Sequence, residues 1–324
     1  MNVSRRDFSV LLAAAAGLCA TGLAVAQDWP ERPLKMVVPY SPGGPTDAVA
    51  RIVATKMAAT LGQPIVVDNR AGAGGTIGVD AVAKSPADGY TLALVAPGPL
   101  AGMPNLMKTP YTTGDLTYLT LAARIPSVMV VSRKSGITTL KQLVEKAKKT
   151  PDALNYSSAG AGTSPHIGFE LFKRETGTRI THVAYKGAAP AVLAVLSGEV
   201  DAAMLDLLPI LPHVASGELV ALAVAGPGRA PQLPEVPTTV ELGWKNVLME
   251  TTYGIVGPKD LPPAVQQRLR ESAIAAIEAP DTRAQFLKQG AIAATSSSAE
   301  YQRLMQVESE KWRGVIASAK ISIN

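Results

Sequence analysis

Glycine-containing loops between a strand and the following helix constrain this fold more than any other feature of the sequence. The apolar run at residues 34–38 predicts a strand, residues 47–61 follow a helical pattern, and Gly43 and Gly44 lie between them. A second loop of this kind occupies residues 157–166. The order of strand, loop, helix and strand recurs along the chain, which predicts an α/β fold with mostly parallel sheets and right-handed crossovers.

The predicted elements are short and follow one another closely. Strands are expected at residues 34–38, 65–67, 91–95, 127–131, 155–157, 181–184, 200–204, 220–224 and 252–256. Helices are expected at residues 47–61, 139–149, 165–176, 188–196, 263–278 and 298–319, with a glycine-rich turn at 72–78.

The pattern runs twice, which predicts two domains in a chain of 324 residues. The first domain comprises residues 27–125 together with 250–324, and residues 126–249 form an inserted second domain. Two segments then cross between the domains and form a hinge. Because ligands bind outside the carboxyl ends of strands in open α/β sheets, the loops of both domains are expected to face one cleft.

Composition excludes some classes of function. Hydrophobic residues make up 47% of the chain and charged residues 18%, as in proteins with a substantial core. The aromatic fraction of 5% argues against a nucleic-acid reader built on base stacking. The net charge of +5 is spread without long basic runs, so it favours anions in general rather than nucleic acid.

Residues 1–26 have the organisation of a signal peptide that is cleaved near Ala26. Arg5 and Arg6 precede an apolar run at residues 10–18 that is too short to span a bilayer, and small residues follow. The paired arginines favour the twin-arginine export route, and an ordinary secretory signal is the alternative. Cleavage removes Cys19, the single cysteine, so the exported chain is expected to have no disulfide or thiol nucleophile.

The loop at residues 40–47 is the first candidate binding site. Gly43 and Gly44 leave backbone amides open to a ligand, and the helix beyond adds unpaired N–H groups and a partial positive charge, which together predict an anion site. The alternative is a plain turn in which Thr46 or Asp47 caps the helix. The candidate ligand-binding residues of this loop are Tyr40, Ser41, Gly43, Gly44, Thr46 and Asp47.

The loop at residues 157–166 repeats this arrangement in the second predicted domain. Its glycines loosen the backbone, its hydroxyl groups supply donors, and Pro165 suits the first turn of a helix capped by the preceding residues. The alternative is again a capped turn with no ligand. Its candidate ligand-binding residues are Ser157, Ser158, Gly162, Thr163 and Ser164.

Weaker candidates follow other strands. The glycines at residues 72–78 do not form a dinucleotide loop because Ile77 occupies the place of the third glycine, and no phosphate-binding Gly-Lys-Ser/Thr follows, so no cofactor is predicted. Lys186 has the alternative role of a solvated loop charge. The further candidates for the cleft are Gly74, Pro97, Tyr185, Lys186 and Asp206.

No arrangement of residues predicts an enzyme. His166, His182 and His213 lack metal-ligand spacing, and neither the G-x-S-x-G nor the H-E-x-x-H motif is present. A buried histidine is more often a core residue than a ligand or base. We therefore expect no catalytic residue and no metal site.

Taken in order, the loops closely resemble those of the receptors of tripartite tricarboxylate transporters, also called Bug or TctC-like receptors. The resemblance covers the chain after the predicted signal and rests on a set of motifs that are weak singly. They are the segments 40–47 (YSPGGPTD), 69–75 (NRAGAGG), 88–92 (DGYTL), 155–158 (NYSS) with Gly160, Gly162 and His166, and 185–187 (YKG) with Pro190 and Ala191.

This resemblance implies a two-domain, type II periplasmic-binding-protein fold of the Venus-flytrap kind, located in the periplasm and without catalysis. It implies that loop 40–47 holds a ligand carboxylate through backbone groups and water, and that loop 157–164 closes from the other domain. Asp47 would take the ammonium of an amino-acid ligand. Pro42, where a small residue is frequent, and Ala71, where proline is frequent, depart from the pattern and leave the ligand open.

The expected partners are a small organic acid and the membrane subunits of the transporter, with the receptor itself a monomer. A ligand-binding subunit of a periplasmic sensing system would use the same cleft and is the alternative function.

Overall fold

The computed structural model describes residues 29–319 and 321. The predicted signal peptide and its cleavage position lie outside these residues. No helix in the described part of the chain is both long enough and apolar enough to cross a membrane.

Ten strands and nine helices of eight or more residues make up the described chain. The strands are β1 (Leu34–Val38), β2 (Ile65–Asn69), β3 (Thr91–Val95), β4 (Leu116–Ser132), β5 (Asn155–Ser158), β6 (Thr181–Ala184), β7 (Ala202–Asp206), β8 (Leu219–Val224), β9 (Glu250–Pro258) and β10 (Ile292–Ala293). The helices are α1 (Pro45–Leu61), α2 (Thr76–Ala83), α3 (Leu140–Lys149), α4 (Ser164–Thr176), α5 (Ala188–Ser197), α6 (Leu207–Ala215), α7 (Pro263–Glu278), α8 (Pro280–Lys288) and α9 (Ser298–Ala319). Short helical turns occur at Ala73–Gly75, Gly98–Gly102, Met103–Leu106, Thr113–Asp115 and Arg133–Ser135.

The strands follow the order β2-β1-β3-β9-β4-β7-β5-β6, with β8 and β10 also paired to β4. The strands that precede the candidate loops pair in parallel: β1 with β2 and β3, and β5 with β6 and β7. The carboxyl ends of β1 and β5, where the two glycine loops begin, therefore have the helical crossovers that parallel pairing requires. The predicted α/β fold is confirmed.

Strand β4 changes partner partway along its length. Up to Pro126, which pairs with Glu250, it runs antiparallel to β9. From Ser127, which pairs with Asp206, it runs antiparallel to β7 and also pairs with β8. The change falls beside the predicted domain boundary, but the division into residues 27–125 plus 250–324 and 126–249 stays a prediction.

Several element boundaries predicted from the sequence were wrong. The glycine-rich turn ends at Gly75 rather than at residue 78, because α2 begins at Thr76. Strand β4 begins eleven residues before Ser127, since Pro126 lies within it and resembles a strand end. Helix α6 was missed because Pro212 lies inside it. Helix α8, which starts at Pro280, was also missed, so three helices rather than two follow β9.

Two hydrophobic clusters stabilise the described chain, and the last helix contributes to both. In one cluster Tyr301 of α9 packs with Tyr118 of β4 at 5.0 Å between ring centroids. In the other, Trp312 of α9 joins Phe169 and Phe172 of α4. Burial of aromatic side chains of this size is a main source of folding free energy.

Candidate functional site

A cavity of about 370 Å³, partly open to solvent, lies where loops after several strands meet. Helix N-termini form one part of its wall. Asp206 at the end of β7, with Thr251 and Tyr253 within β9, forms another part. Its lining residues are Tyr40, Gly44, Pro45, Thr46, Ala96, Ala159, Thr163, Ser164, Pro165, Ala188, Asp206, Thr251 and Tyr253.

Three helices begin at this cavity. The residues preceding their first turns are Gly44 for α1, Thr163 for α4 and Gly187 for α5, and at none of them does a side chain cap the helix. Except at the prolines, which have no N–H, the first amides of each helix therefore keep free hydrogen-bonding capacity and a partial positive charge. Thr46 and Asp47 do not cap α1, so the capping role that the alternative of a plain turn gave them is wrong.

The positive partial charge at this cavity comes from the backbone at the helix N-termini rather than from side chains. Among its lining residues in the described chain there is no lysine, arginine or histidine. Helix N-termini bind carboxylates and phosphates without such side chains, since several N–H groups converge on the anion.

Two buried hydroxyl groups at the cavity have no hydrogen-bond partner among the described residues. They are the phenol of Tyr40, which is 8% exposed, and Oγ of Ser164, which is 1% exposed. A buried polar group without a partner costs about 1–3 kcal/mol. Burial, followed by the charge of Asp206, raises the pKa of Tyr40, so its phenol stays neutral and able to donate. Both hydroxyls are therefore available to a ligand.

Asp206 is the acidic residue of the cavity wall and is 3% exposed. Its Oδ1 accepts hydrogen bonds from Thr251 Oγ1 at 2.7 Å and Ser127 Oγ at 3.2 Å, and its Oδ2 accepts one from the Tyr253 phenol. Burial raises the pKa of Asp206 to about 6, although the three hydroxyl donors favour the charged form. These donors come from β4 and β9, so Asp206 connects the end of β7 to both of those strands.

Asp47 lies behind its loop and does not line the cavity. Its carboxylate accepts hydrogen bonds from Gly43 N at 3.1 Å, Asn69 Nδ2 at 3.0 Å and Arg51 Nε at 3.0 Å. Burial raises the pKa of Asp47, but the bonds from Arg51, Gly43 and Asn69 outweigh burial and hold it below its usual value. In the structure Asp47 therefore stabilises loop 40–47 through these hydrogen bonds.

Each of the two glycine loops contacts a further loop, loop 40–47 at Lys186 and loop 157–166 at Gly74. Ser41 donates from Oγ to the carbonyl of Lys186 at 2.6 Å, and its backbone N–H donates to the same carbonyl at 3.3 Å. A Cβ atom at Gly74 would lie 2.7 Å from the carbonyl oxygen of Ala161. The contact at Gly74 leaves no room for a side chain between the loops, as is expected of a closed cleft.

A second cavity of about 560 Å³ adjoins the first at Tyr40, which lines both. Gly74, Tyr185 and Lys186, three of the weaker candidates, line this second cavity. The Tyr185 phenol donates to Glu199 Oε1 at 2.7 Å, so Tyr185 is already engaged.

The candidate residues thus divide into three groups. Those lining the first cavity are Tyr40, Gly44, Thr46, Thr163, Ser164 and Asp206. Those lining the second are Tyr40, Gly74, Tyr185 and Lys186. Those lining neither are Ser41, Gly43, Asp47, Pro97, Ser157, Ser158 and Gly162.

Histidines support the loop at residues 157–164 from behind. Gly162 N donates to His166 Nδ1 at 3.0 Å, and Ser158 Oγ lies 2.7 Å from His182 Nε2. The two rings stack at 3.8 Å, a proximity that sequence spacing did not predict. Burial lowers the pKa of both, that of His182 to about 4, so both are neutral near pH 7. Within the described residues, no group of three or more potential ligands forms a metal site.

Sequence reasoning missed the residues that surround Asp206. Thr251 and Tyr253 alternate along β9 and so point to the same side of the strand, and both line the cavity. Their alternation was the available signal, but a two-residue polar pattern at a strand end is common. Ser127 was named only as the start of a strand, and pairing between distant strands brings it to Asp206.

Comparison with known proteins identifies the family. Residues 49–321 match the model of the tripartite tricarboxylate transporter family receptor. The chain belongs to this family, whose members are solute-binding receptors. It is 35% identical over 320 residues to protein BugT of Bordetella pertussis (strain Tohama I), covering 98% of each chain.

Solved structures of related receptors have the same fold. An R. palustris protein whose structure contains adipate is 32% identical, with a TM-score of 0.88 over 91% of this chain and 99% of that one. MatC from Rhodopseudomonas palustris, with bound malate, is 28% identical, with a TM-score of 0.84 over 89% of this chain and 100% of that one. The predicted periplasmic-binding-protein fold is therefore confirmed.

Proposed function

We propose that this receptor captures a small organic carboxylate in the 370 Å³ cavity, in the periplasm, and delivers it to a tripartite tricarboxylate transporter. The observation that carries the proposal is the convergence of three helix N-termini without side-chain caps on one cavity. The two unpartnered hydroxyls of Tyr40 and Ser164 support it, because they supply donors that the protein itself leaves unused. The adipate and malate of the related structures are ligands of this class.

Energetics require both sides of the cleft to take part. A hydrogen bond to a charged group contributes roughly 1.5–3 kcal/mol, so four bonds contribute about 6–12 kcal/mol. Loss of translation and rotation costs about 4–15 kcal/mol on association. One loop alone therefore gives weak binding, and the contacts from Thr163, Ser164 and Ala188 are needed. Cleft closure accordingly accompanies capture.

A thermal-shift screen tests the ligand class. We expect three- to six-carbon dicarboxylates to raise the melting temperature, because a ligand that binds only the folded state stabilises it. The corresponding diamides, which have the same length but no negative charge, serve as controls and are expected to give no shift. Equal shifts by acids and diamides, or no shift by any acid, would refute the proposed carboxylate site.

The transport role needs a separate test in cells. Deleting the gene should abolish uptake of whichever radiolabelled acid the purified protein binds, and restoring it should restore uptake. If uptake persists while transcription of nearby genes stops responding to the acid, the chain is a sensing subunit instead.

A further inference from the structure

Asp206 gives the cavity an acidic pole opposite its positive helix ends. The helix N-termini of α1, α4 and α5 contribute backbone N–H groups through Gly44 and Thr46, Ser164, and Ala188, respectively. Strands β7 and β9 contribute Asp206, Thr251 and Tyr253. A ligand that fills the cavity therefore meets donors on one side and a carboxylate on the other.

The acidic pole has no cationic partner. The donors to Asp206 are the neutral hydroxyls of Ser127, Thr251 and Tyr253. The charged and titratable groups whose fields act with it are Glu250, Tyr40 and Tyr253, and none of them is a cation at neutral pH. In the described part of the chain, no ion pair includes Asp206. Its negative charge is therefore uncompensated within the cavity wall.

One acceptor position of Asp206 remains for a ligand. A carboxylate offers about four lone-pair sites, and three of them are used by the hydroxyl donors. A second ligand carboxylate placed there would be repelled, whereas an O–H or N–H group would be attracted. A buried acceptor left with spare capacity discriminates strongly between ligands that have a donor and those that lack one.

We propose that Asp206 selects ligands that carry a hydroxyl or ammonium group as well as a carboxylate. The carboxylate lies at the helix N-termini and the donor faces Asp206, which orients the ligand in the cavity. This inference rests on the proposed function of the cavity and deepens it. It assigns the donor-reading role to Asp206 rather than to Asp47, whose carboxylate is already occupied by Gly43, Asn69 and Arg51.

Matched ligands test the proposal by isothermal titration calorimetry. Malonate, succinate and glutarate are compared with their hydroxy-substituted forms, aspartate tests the ammonium, and methoxysuccinate retains the oxygen but lacks the donor. We expect the wild-type protein to bind the hydroxy or amino form at least about tenfold more tightly than the unsubstituted acid of the same length. Methoxysuccinate should bind no better than succinate.

Two variants assign this preference to Asp206. Asp206→Asn should reduce the preference to below about threefold, chiefly by weakening the substituted acids. Tyr253→Phe keeps Asp206, frees its Oδ2, and should keep or increase the preference. Asp47→Asn is the matched control, because it changes a buried aspartate beside the same loop and should weaken all acids by a similar factor. Far-ultraviolet circular dichroism checks the folding of each variant.

The outcomes separate the inference from the proposed function. If the wild type binds unsubstituted acids as tightly as substituted ones, or if Asp206→Asn keeps the preference, the role of Asp206 is refuted and the carboxylate site stands. A loss of the preference in Tyr253→Phe would also refute it, even if Asp206→Asn failed to fold. If the wild type binds no acid of any length, the proposed function fails, and the inference fails with it.

Discussion

Tyr253 of β9 donates its phenolic hydrogen to the buried carboxylate of Asp206 at the end of β7. The two strands are not neighbours in the sheet, since β4 lies between them. The bond therefore reaches across β4 at the point where that strand changes partner from β9 to β7. It joins β7 and β9 at the wall of the cavity.

Removing either unpartnered hydroxyl should weaken binding without weakening the fold. In Ser164→Ala and Tyr40→Phe, the lost group has no partner in the ligand-free protein, so we expect the free energy of unfolding to stay constant or rise by about 1 kcal/mol. Affinity for the bound acid should fall about fivefold or more. Calorimetry and urea denaturation measure the two effects, and a parallel loss of stability and affinity would contradict the prediction.

Ser157→Ala is the control for these variants. Its hydroxyl is buried but donates to the carbonyl of Ala191 at 3.0 Å and does not line the cavity. We expect this variant to lose about 1 kcal/mol of stability with little direct effect on affinity.

Gly74→Ala should obstruct closure of the cleft. The added Cβ would lie 2.7 Å from the Ala161 carbonyl oxygen and 2.6 Å from the Met103 sulfur, too close for either to remain in place. We expect affinity to fall at least about tenfold, because the loops from the two sides no longer meet. In small-angle scattering the bound acid should then cause a smaller decrease in the radius of gyration.

Gly136→Ala separates this clash from backbone strain. Gly136 has a φ of +71°, similar to the +62° of Gly74, but a Cβ there would meet no atom within 4 Å. Both variants carry about 1–2 kcal/mol of strain. Equal affinity losses in the two would show that strain, and not the contact with Ala161, is responsible.

The free energy of unfolding should depend on pH because Asp206 titrates. Burial raises its pKa to about 6 from an ordinary value of 3.8, so the folded protein holds the proton more tightly than the unfolded chain. The stabilisation is complete below pH 3.8 and is lost as the pH rises through about 6. The free energy of unfolding of Asp206→Asn, relative to that of the wild type, should therefore be about 1 kcal/mol higher at pH 8 than at pH 5.

Urea denaturation at the two pH values measures this difference, and Asp47→Asn is its control. The pKa of Asp47 is lowered, so the stability it contributes is present above its ordinary value and is lost only as the pH falls below it. Its effect should therefore be the same at pH 5 and pH 8. A flat result for Asp206→Asn as well would mean that Asp206 is already charged at pH 5.

Asp47→Asn should also decide how loop 40–47 uses its aspartate. The change removes the negative charge and one of the two oxygens that accept hydrogen bonds from Gly43, Asn69 and Arg51, so we expect a loss of about 1–3 kcal/mol in unfolding free energy. Amino-acid and simple dicarboxylate ligands should weaken alike. Calorimetry that showed a loss confined to amino acids would restore the contact with a ligand ammonium that the family resemblance implies.

The sequence was sufficient to predict the loops but not their meeting. The strand, glycine loop and helix around Gly43 and Gly44 are local features, and local spacing predicts them well. The grouping of Ser127, Asp206, Thr251 and Tyr253 depends on pairing between strands that are more than forty residues apart. No periodicity within a single segment reports such pairing.

The placement of Asp47 shows a different limit. Its position in the loop suited a ligand contact, but the side chain points to Asn69 and Arg51. A sequence gives the type of residue in a loop, but it does not show which of several possible hydrogen-bond partners the side chain faces. Pro126 and Pro212 misled for a related reason, since both lie within regular elements where proline is uncommon.

Helix α9 follows every other element of the described residues, yet Tyr301 and Trp312 lie in separate hydrophobic clusters. During synthesis from the N-terminus, both clusters must therefore wait for this helix before they are complete. Until then Tyr118 lacks the edge-on ring of Tyr301, and Phe169 and Phe172 lack Trp312, so the nascent chain exposes apolar surface of the kind that chaperones recognise. Completion of the two halves is thus tied to one late event in the life of the polypeptide.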